Sequence, residues 1–414
     1  MTKNENTYIV GVIAEYNPFH NGHAYHIKKA KEASGADYCV VVMSGDFVQR
    51  GAPAIYNKYA RTAMALSAGA DLVIELPSVY ATGSAEHFAF GAVSLLTRLG
   101  AVDSLCFGSE CGDVRKLSRL ASILMCETED YQQQIKTYLS QGLSYPAARQ
   151  NALSRLGLLT DQETHLLSSP NNILGIEYCK ALIGLNSPIQ PLTITRQGNG
   201  YHDLSLTQPL SSASAIRQAL KNGLDSHLSQ LVPETVLPIL ETLNPLWPDD
   251  FSLLLNGALL RLQREGTGFD RFADVSGEIS ARILRQIFDF STWEERCASL
   301  KSRQYTYTRI SRCLLHILLG ITDDKMNGFK KEGGTFYGRV LGFRRSSAAV
   351  ITRIKKESQI PLVTKPAGAA RQLEGTALEM FQDDLFASHL YRCVYADKYG
   401  TKKGNEYNQP LIIS

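Results

Sequence analysis

Residues Glu15–Lys28 read EYNPFHNGHAYHIK and carry three histidines, His20, His23 and His26, behind an Asn-Pro pair and around Gly22. Upstream lies an apolar run of strand length, Tyr8–Ala14 (YIVGVIA). Pro18 fixes its own φ and disfavours a helical Asn17, so the chain leaves that strand through a turn. Gly22 permits close approach of backbone to a ligand, and a helix is predicted to start near His23, with Ile27, Ala30 and Ala33 on one side. A metal, a phosphate or no ligand at all would each account for the histidines. A metal ion requires the three imidazoles to converge, yet helical geometry turns His26 about 120° from His20. The only nearby acid is Glu15. A phosphate needs only His20 and His23 beside the exposed N–H groups of a helix start, with His26 following along the helix.

Outward from this stretch the pattern repeats. Tyr38–Met43 (YCVVVM), Asp71–Leu76 (DLVIEL), Ser104–Phe107 (SLCF) and Leu192–Thr195 (LTIT) read as strands, and Ala24–Ala33 and Tyr59–Ala68 have helical spacing. Strands alternating with helices predict an α/β fold with a mostly parallel, Rossmann-like sheet that binds ligands at its carboxyl end. After about Leu220 the character changes: Pro233, Pro238, Pro245 and Pro248 punctuate a connection, and amphipathic runs follow at 251–264, 276–290 and 307–319. Two domains are expected, 1–222 and 223–414, the second mainly helical, with a small strand pair at 339–343 and 362–365 bracketing a helix.

Composition agrees with a globular protein: of 414 residues, 44% are apolar and 20% charged. The start MTKNENTYIV has no apolar signal stretch, and CLLHILLGI (313–321) is too short to span a bilayer, so a cytoplasmic location is expected and a membrane is not. The eight cysteines form no Cys-x-x-Cys pair, which predicts reduced thiols and no zinc site. Net charge is only +3, but from Lys301 to Lys356 thirteen Lys and Arg face three acids, a local balance of +10. Such a segment fits docking of a polyanion or, equally, a solvated helical face.

His20-Asn21-Gly22-His23 after a first strand resembles the HxGH signature of nucleotidyltransferases related to class I aminoacyl-tRNA synthetases (HUP/HIGH type). The longer strings GVIAEYNPFHNGHAYHI, VVMSGDFVQRGAPA (41–54), DLVIELP (71–77), CFGSE (106–110) and PNNILG (170–175) together resemble the bacterial tRNA(Met) cytidine acetate ligase family over essentially the whole chain. The resemblance implies activation of acetate with ATP to acetyl-adenylate, then transfer to N4 of the wobble cytidine in elongator tRNA(Met), forming N4-acetylcytidine. It also implies an ATP-binding segment of Gly11, Val12, Ile13, Ala14, Glu15, Tyr16, Asn17, Pro18, Phe19, His20, Asn21, Gly22, His23 and Ala24, with His20 and His23 catalytic at the phosphates. Gly108, Asn171, Arg196 and Arg217 are the further nucleotide candidates, each also explicable as a turn, a helix cap or an exposed arginine. Mg²⁺ as a companion of ATP is open. Two departures stand out: the family pattern has an acid where Ala52 stands, and the lysine-rich second signature of the synthetases is absent.

Ser44, Asp46, Gln49 and Arg50 follow the second strand and are the candidates for acetate, as an arginine or a backbone nest holds a small anion. His87 and His202 are given core or surface roles. Arg303, Tyr305, Tyr307, Arg309 and Arg312 interleave cations with aromatics, and with Arg344 and Arg345 are the candidates for tRNA contact. DNA is not an expected partner. Two other readings keep part of this: a small-molecule adenylyltransferase or acetate ligase acting on a protein thiol, and a tRNA-binding protein with a degenerate nucleotide site.

Overall fold

The computed structural model describes residues 7–414 apart from 127, 144, 197–211, 224–227 and 402–403; His202 lies outside the described residues. Among the described residues the strands are β1 (Ile9–Ala14), β2 (Tyr38–Ser44), β3 (Phe47–Val48), β4 (Ala52–Pro53), β5 (Leu72–Leu76), β6 (Ser104–Ser109), β7 (Gln190–Thr195), β8 (Gly338–Phe343), β9 (Leu362–Val363) and β10 (Ile412–Ile413). β3 and β4 pair with each other, and the other eight form one sheet in the order β10-β8-β5-β2-β1-β6-β7, with β9 on β8. The five strands expected from the apolar runs are β1, β2, β5, β6 and β7, all parallel.

Alternation along these strands explains their continuous hydrophobicity. Ile9, Val40, Val42, Leu72 and Ile74 enter one core, whereas Val10, Val12, Val41, Met43 and Val73 enter the core on the other face. Helices α1 (Asn21–Ser34) and α2 (Lys58–Ser67) cover the second face, and α4 (Ala85–Arg98), after the short α3 (Ser78–Ala81), covers the first. Strand order reverses at β1, so the crevice between the carboxyl ends of β1 and β6 is the topological switch point.

The helical character expected after residue 223 is present, in helices such as Ser252–Arg264, Tyr307–Leu319 and Gly375–Tyr399. The small strand pair does not stand apart, however. β8 and β9 do bracket a helix (Ala348–Glu357), but β8 pairs antiparallel with β5 and β10 joins β8, extending the first sheet. Four buried charges seal that junction. Lys58 Nζ contacts Glu75 at 2.8 Å and Glu406 at 2.7 Å, and Arg339 reaches the same two carboxylates at 3.3 and 2.6 Å.

Candidate functional site

α1 starts at Asn21, two residues before the expected position, because two histidines cap it. The Gly22 N–H donates to His20 Nδ1 (3.0 Å) and the His20 N–H donates to His23 Nδ1 (3.3 Å), the reciprocal pattern of a capping box built from imidazoles. The rings stack at 3.7 Å between centroids, with Tyr16 edge-on to His23. Gly22 is required beside them: a Cβ there would lie 2.8 Å from His20 Cε1.

Both Nδ1 atoms accept backbone protons, so each neutral ring carries its own proton on Nε2. Burial, then Arg196 and Arg217, lowers the His20 pKa from 6.5 to about 3. Burial, followed by His20 and Arg196, lowers His23 as well. The pair therefore offers N–H donors at neutral pH, which suits phosphate oxygens; a metal would need the Nε2 lone pairs that these tautomers lack. His26, lowered to about 4 chiefly by burial, is absent from the cleft lining. Among the described residues no group of three His, Cys, Asp or Glu side chains converges as a metal site.

The cleft, of ≈ 270 Å³, opens at the switch point. Ile13, Ala14, Glu15, His20 and His23 form one wall, Asn171 and Arg196 a second, Ser214 and Arg217 a third, and Gln49 and Arg50 a fourth, with apolar Phe88, Leu174 and Tyr178 below. Arg217 donates to the Asn17 carbonyl (2.5 Å) and to Ser214 Oγ (3.1 Å). Arg196 follows β7 and reaches Asn171 Oδ1 at 3.4 Å. Gly108 is outside the cleft lining, and Arg196 packs over it, its Cγ lying 3.0 Å from where a Cβ would sit. Gly11 is packed against Leu96 and Val102.

Three residues that the sequence reading passed over hold this geometry. The Glu110 carboxylate accepts the N–H groups of Asn171 (3.1 Å) and Asn172 (2.7 Å), capping the helix Pro170–Gly184, while Asn172 Oδ1 accepts those of Glu110 and Cys111. Arg61, fully buried, donates to the carbonyls of Tyr56, Glu15, Ser44 and Gly45, tying together the carboxyl ends of β1 and β2.

A family model described as HIGH Nucleotidyl Transferase matches residues 7–406. The tRNA(Met) cytidine acetate ligase of Acetivibrio thermocellus is 42% identical over 98% of this chain and 99% of its own. The chain belongs to the tRNA(Met) cytidine acetate ligase family. A Thermoanaerobacter member of that family is 41% identical over 98% of the chain. The crystal structure of Thermotoga maritima TmcAL bound with alpha-thio ATP is 30% identical and superposes with a TM-score of 0.90, covering 98% of this chain and 99% of that one. The apo form gives 0.92.

Within the fold of this ligase family, the acetate candidates divide. Gln49 and Arg50 line the cleft, and the Gln49 N–H is held by Glu15 Oε1 at 2.9 Å. Ser44 and Asp46 are buried outside its lining; Asp46 Oδ1 instead accepts the Lys58 N–H at 2.8 Å. The tRNA candidates divide too. Tyr305 is buried with its hydroxyl on Glu278 and Ser276, so its ring is not available to a base, whereas Tyr307 is 38% exposed. Arg312 is paired with Asp274 (2.8 Å), and Arg309 lies over Tyr305 and reaches the Asp274 carbonyl; Arg303 is exposed. Arg344 and Arg345 follow β8 where it meets the amino end of β5, opposite the cleft, so they do not join this cluster. Much of the +10 segment is internally neutralised, by Asp383 on Lys325, Glu86 on Lys330 and Asp103 on Arg353. His87 is held by Ser84 at 3.0 Å, a capping role. All eight cysteines are free thiols.

The depressed histidine pKa has a sign that can be measured. The unfolded imidazole takes a proton as pH falls below about 6.5, while folded His20 waits until about 3. Its contribution to stability is full above 6.5 and lost as pH falls towards 3. A bound polyphosphate raises the imidazole pKa, so ATP binding at acid pH is expected to take up more protons in the wild type than in His20→Asn, the ATP phosphates contributing equally to both. Titration calorimetry at pH 5 in two buffers of different ionisation enthalpy checks this; equal proton uptake by the two proteins would refute it.

Proposed function

We propose that this chain condenses acetate with ATP to acetyl-adenylate and pyrophosphate, then transfers the acetyl group to N4 of the wobble cytidine of elongator tRNA(Met). The paired imidazole donors of His20 and His23, with Arg196 and Arg217 on the same cleft, carry this reading. An acetate oxygen attacks the α-phosphorus and pyrophosphate leaves. Neutral Nε2–H donors and guanidinium groups are suited to the charge that accumulates on the phosphate oxygens in that step. An aromatic exocyclic amine is a weak nucleophile, which is why the acyl group arrives on a good leaving group. The N4 lone pair forms the new C–N bond, the acyl C–O bond breaks, AMP departs with that electron pair, and the amine gives up one proton. Gln49 and Arg50 are the residues proposed for acetate. Mg²⁺ is proposed to arrive with the ATP phosphates, which supply ligands of the oxygen type it prefers. The proposed location is the cytoplasm; among the described residues no helix is long and apolar enough to cross a membrane.

Incubation with ATP, labelled acetate and elongator tRNA(Met), or no RNA, tests the proposal. AMP, pyrophosphate and labelled RNA are expected together; absence of acetate-dependent pyrophosphate release refutes it, and adenylation without RNA labelling points to a thiol acceptor. The tRNA surface has its own test. Arg303→Glu is expected to weaken tRNA binding at moderate salt and flatten its salt dependence, because an exposed cation contributes by counterion release. Arg312→Glu instead faces Asp274 and is expected to lower the melting temperature. Filter binding and calorimetry separate the two; equal tRNA affinity in Arg303→Glu and wild type would exclude that contact.

A further inference from the structure

Beside the nucleotide cleft lies a second cavity of ≈ 360 Å³, which shares Arg50, Ser214 and Arg217 with it. Its other walls include Trp247, Tyr307, Lys221 and Glu294. We propose that this cavity receives the acceptor nucleotide, an unpaired pyrimidine of an RNA loop, with its base on the aromatic faces of Trp247 and Tyr307. The proposal rests on the ligase reading above and names the second substrate's subsite.

Four observations support it. The volume falls in the range of about 300–1,000 Å³ usual for small-molecule sites. Two aromatics line it at partly exposed positions: Trp247 is half-buried at the edge of a core, and Tyr307 is 38% exposed. Bases splayed from a loop are held by such platforms, which every base can use because each has a π-face. The cations Arg50, Arg217 and Lys221 suit the flanking phosphates, and Lys221 is positioned by Glu294 at 2.8 Å. Finally, the shared wall sets the chemistry: a base amine arriving from this side meets an acyl group activated on the other.

The cavity is also mechanically tied to the acetate loop. Ser311 Oγ, on the same helix as Tyr307, donates to the Gly51 carbonyl at 2.7 Å, next to Arg50. Gly51 has φ +75°, and the backbone of Ser311 and Arg312 occupies the space a Cβ would need, so the helix lies directly on the loop. RNA pressing on Tyr307 therefore bears on the residue proposed for acetate.

The chain has two tryptophans, and the other, Trp293, is fully buried with its Nε1 donating to Ser311. Both indoles emit, so the Trp247 signal is taken as the wild-type emission less that of Trp247→Phe, which keeps Trp293 alone. An anticodon stem-loop with cytosine at the wobble position is expected to quench it, and no quenching would overturn the proposal. In the full chain, Trp247→Leu is expected to lower kcat/KM for tRNA labelling by about ten- to a hundredfold, the size of one lost base stack, while acetate-dependent pyrophosphate exchange continues. Trp247→Phe, which keeps a π-face, is expected to restore most of the labelling. Labelling at the wild-type rate in Trp247→Leu would overturn the proposal. If that variant does not fold, quenching of the Trp247 signal decides alone. Loss of acetate-dependent exchange in the wild-type protein would instead refute the ligase reading, while quenching would still report the subsite.

Discussion

His20→Asn is expected to leave the protein folded, with stability within about 0.5 kcal/mol of wild type, and to cut acetate-dependent pyrophosphate exchange by on the order of a hundred- to a thousandfold. The separation is possible because the cap and the proposed catalytic role of His20 use different nitrogens. Nδ1 caps α1 by accepting the Gly22 N–H, and Nε2 offers a proton to the cleft. Asparagine is among the best N-cap residues, so its amide oxygen replaces the first function. It is too short to replace the second. His20→Ala removes both and is expected to lose about 1 kcal/mol in addition. Thermal melts alongside exchange assays read the two effects independently. Undiminished exchange in His20→Asn would mean that the histidine is a cap and nothing more.

Arg61→Met is expected to destabilise the protein by about 3–5 kcal/mol, on the order of 1 kcal/mol for each carbonyl left unpaired, and to abolish adenylation. Its guanidinium donates to four backbone carbonyls, two of which, Glu15 and Ser44, stand where β1 and β2 deliver their residues to the cleft. Without it, buried carbonyls lose their partners and the two strand ends lose their common anchor. Lysine carries the charge on a single ammonium and lacks the planar fork, so Arg61→Lys should rescue little. Urea titration gives the energy; a loss of unfolding free energy under about 1 kcal/mol would show that water replaces the guanidinium without loss.

β1, β2, β5 and β6 were legible because they are buried on both faces and so leave an unbroken apolar run, and the edge strand β7, only partly buried, because its apolar residues alternate with β-branched threonines. His20 and His23 were legible because strand, Asn-Pro turn, glycine and helix are adjacent in sequence. What was not legible depends on distant neighbours. The pairing of Gly338–Phe343 with Leu72–Leu76 spans more than half the chain, and nothing local in either segment announces it. Glu110 reads as an ordinary acid until the helix start at Pro170 is folded against it, and Arg61 as an ordinary surface arginine until its helix turns it inward. Tyr305 precedes the Thr306 cap and lies outside the helix that begins at Tyr307, so helical spacing does not bear on it, and its burial follows from Ser276 and Glu278, distant in sequence.

The buried quartet of Lys58, Glu75, Arg339 and Glu406 imposes an order on folding. Lys58 and Glu75 are synthesised early, and their partners arrive only after more than two hundred further residues. Until then the β5 edge is open and two interior charges have only each other, so a partly made chain carries an unfinished side to its sheet. The nucleotide cleft hangs from the same sheet through α2, whose first residue is Lys58 and whose fourth is Arg61. The sheet that carries the cleft is completed only by strands that follow the helix proposed for RNA contact, so a fragment ending before Gly338 would leave the β5 edge open and two interior charges without their partners.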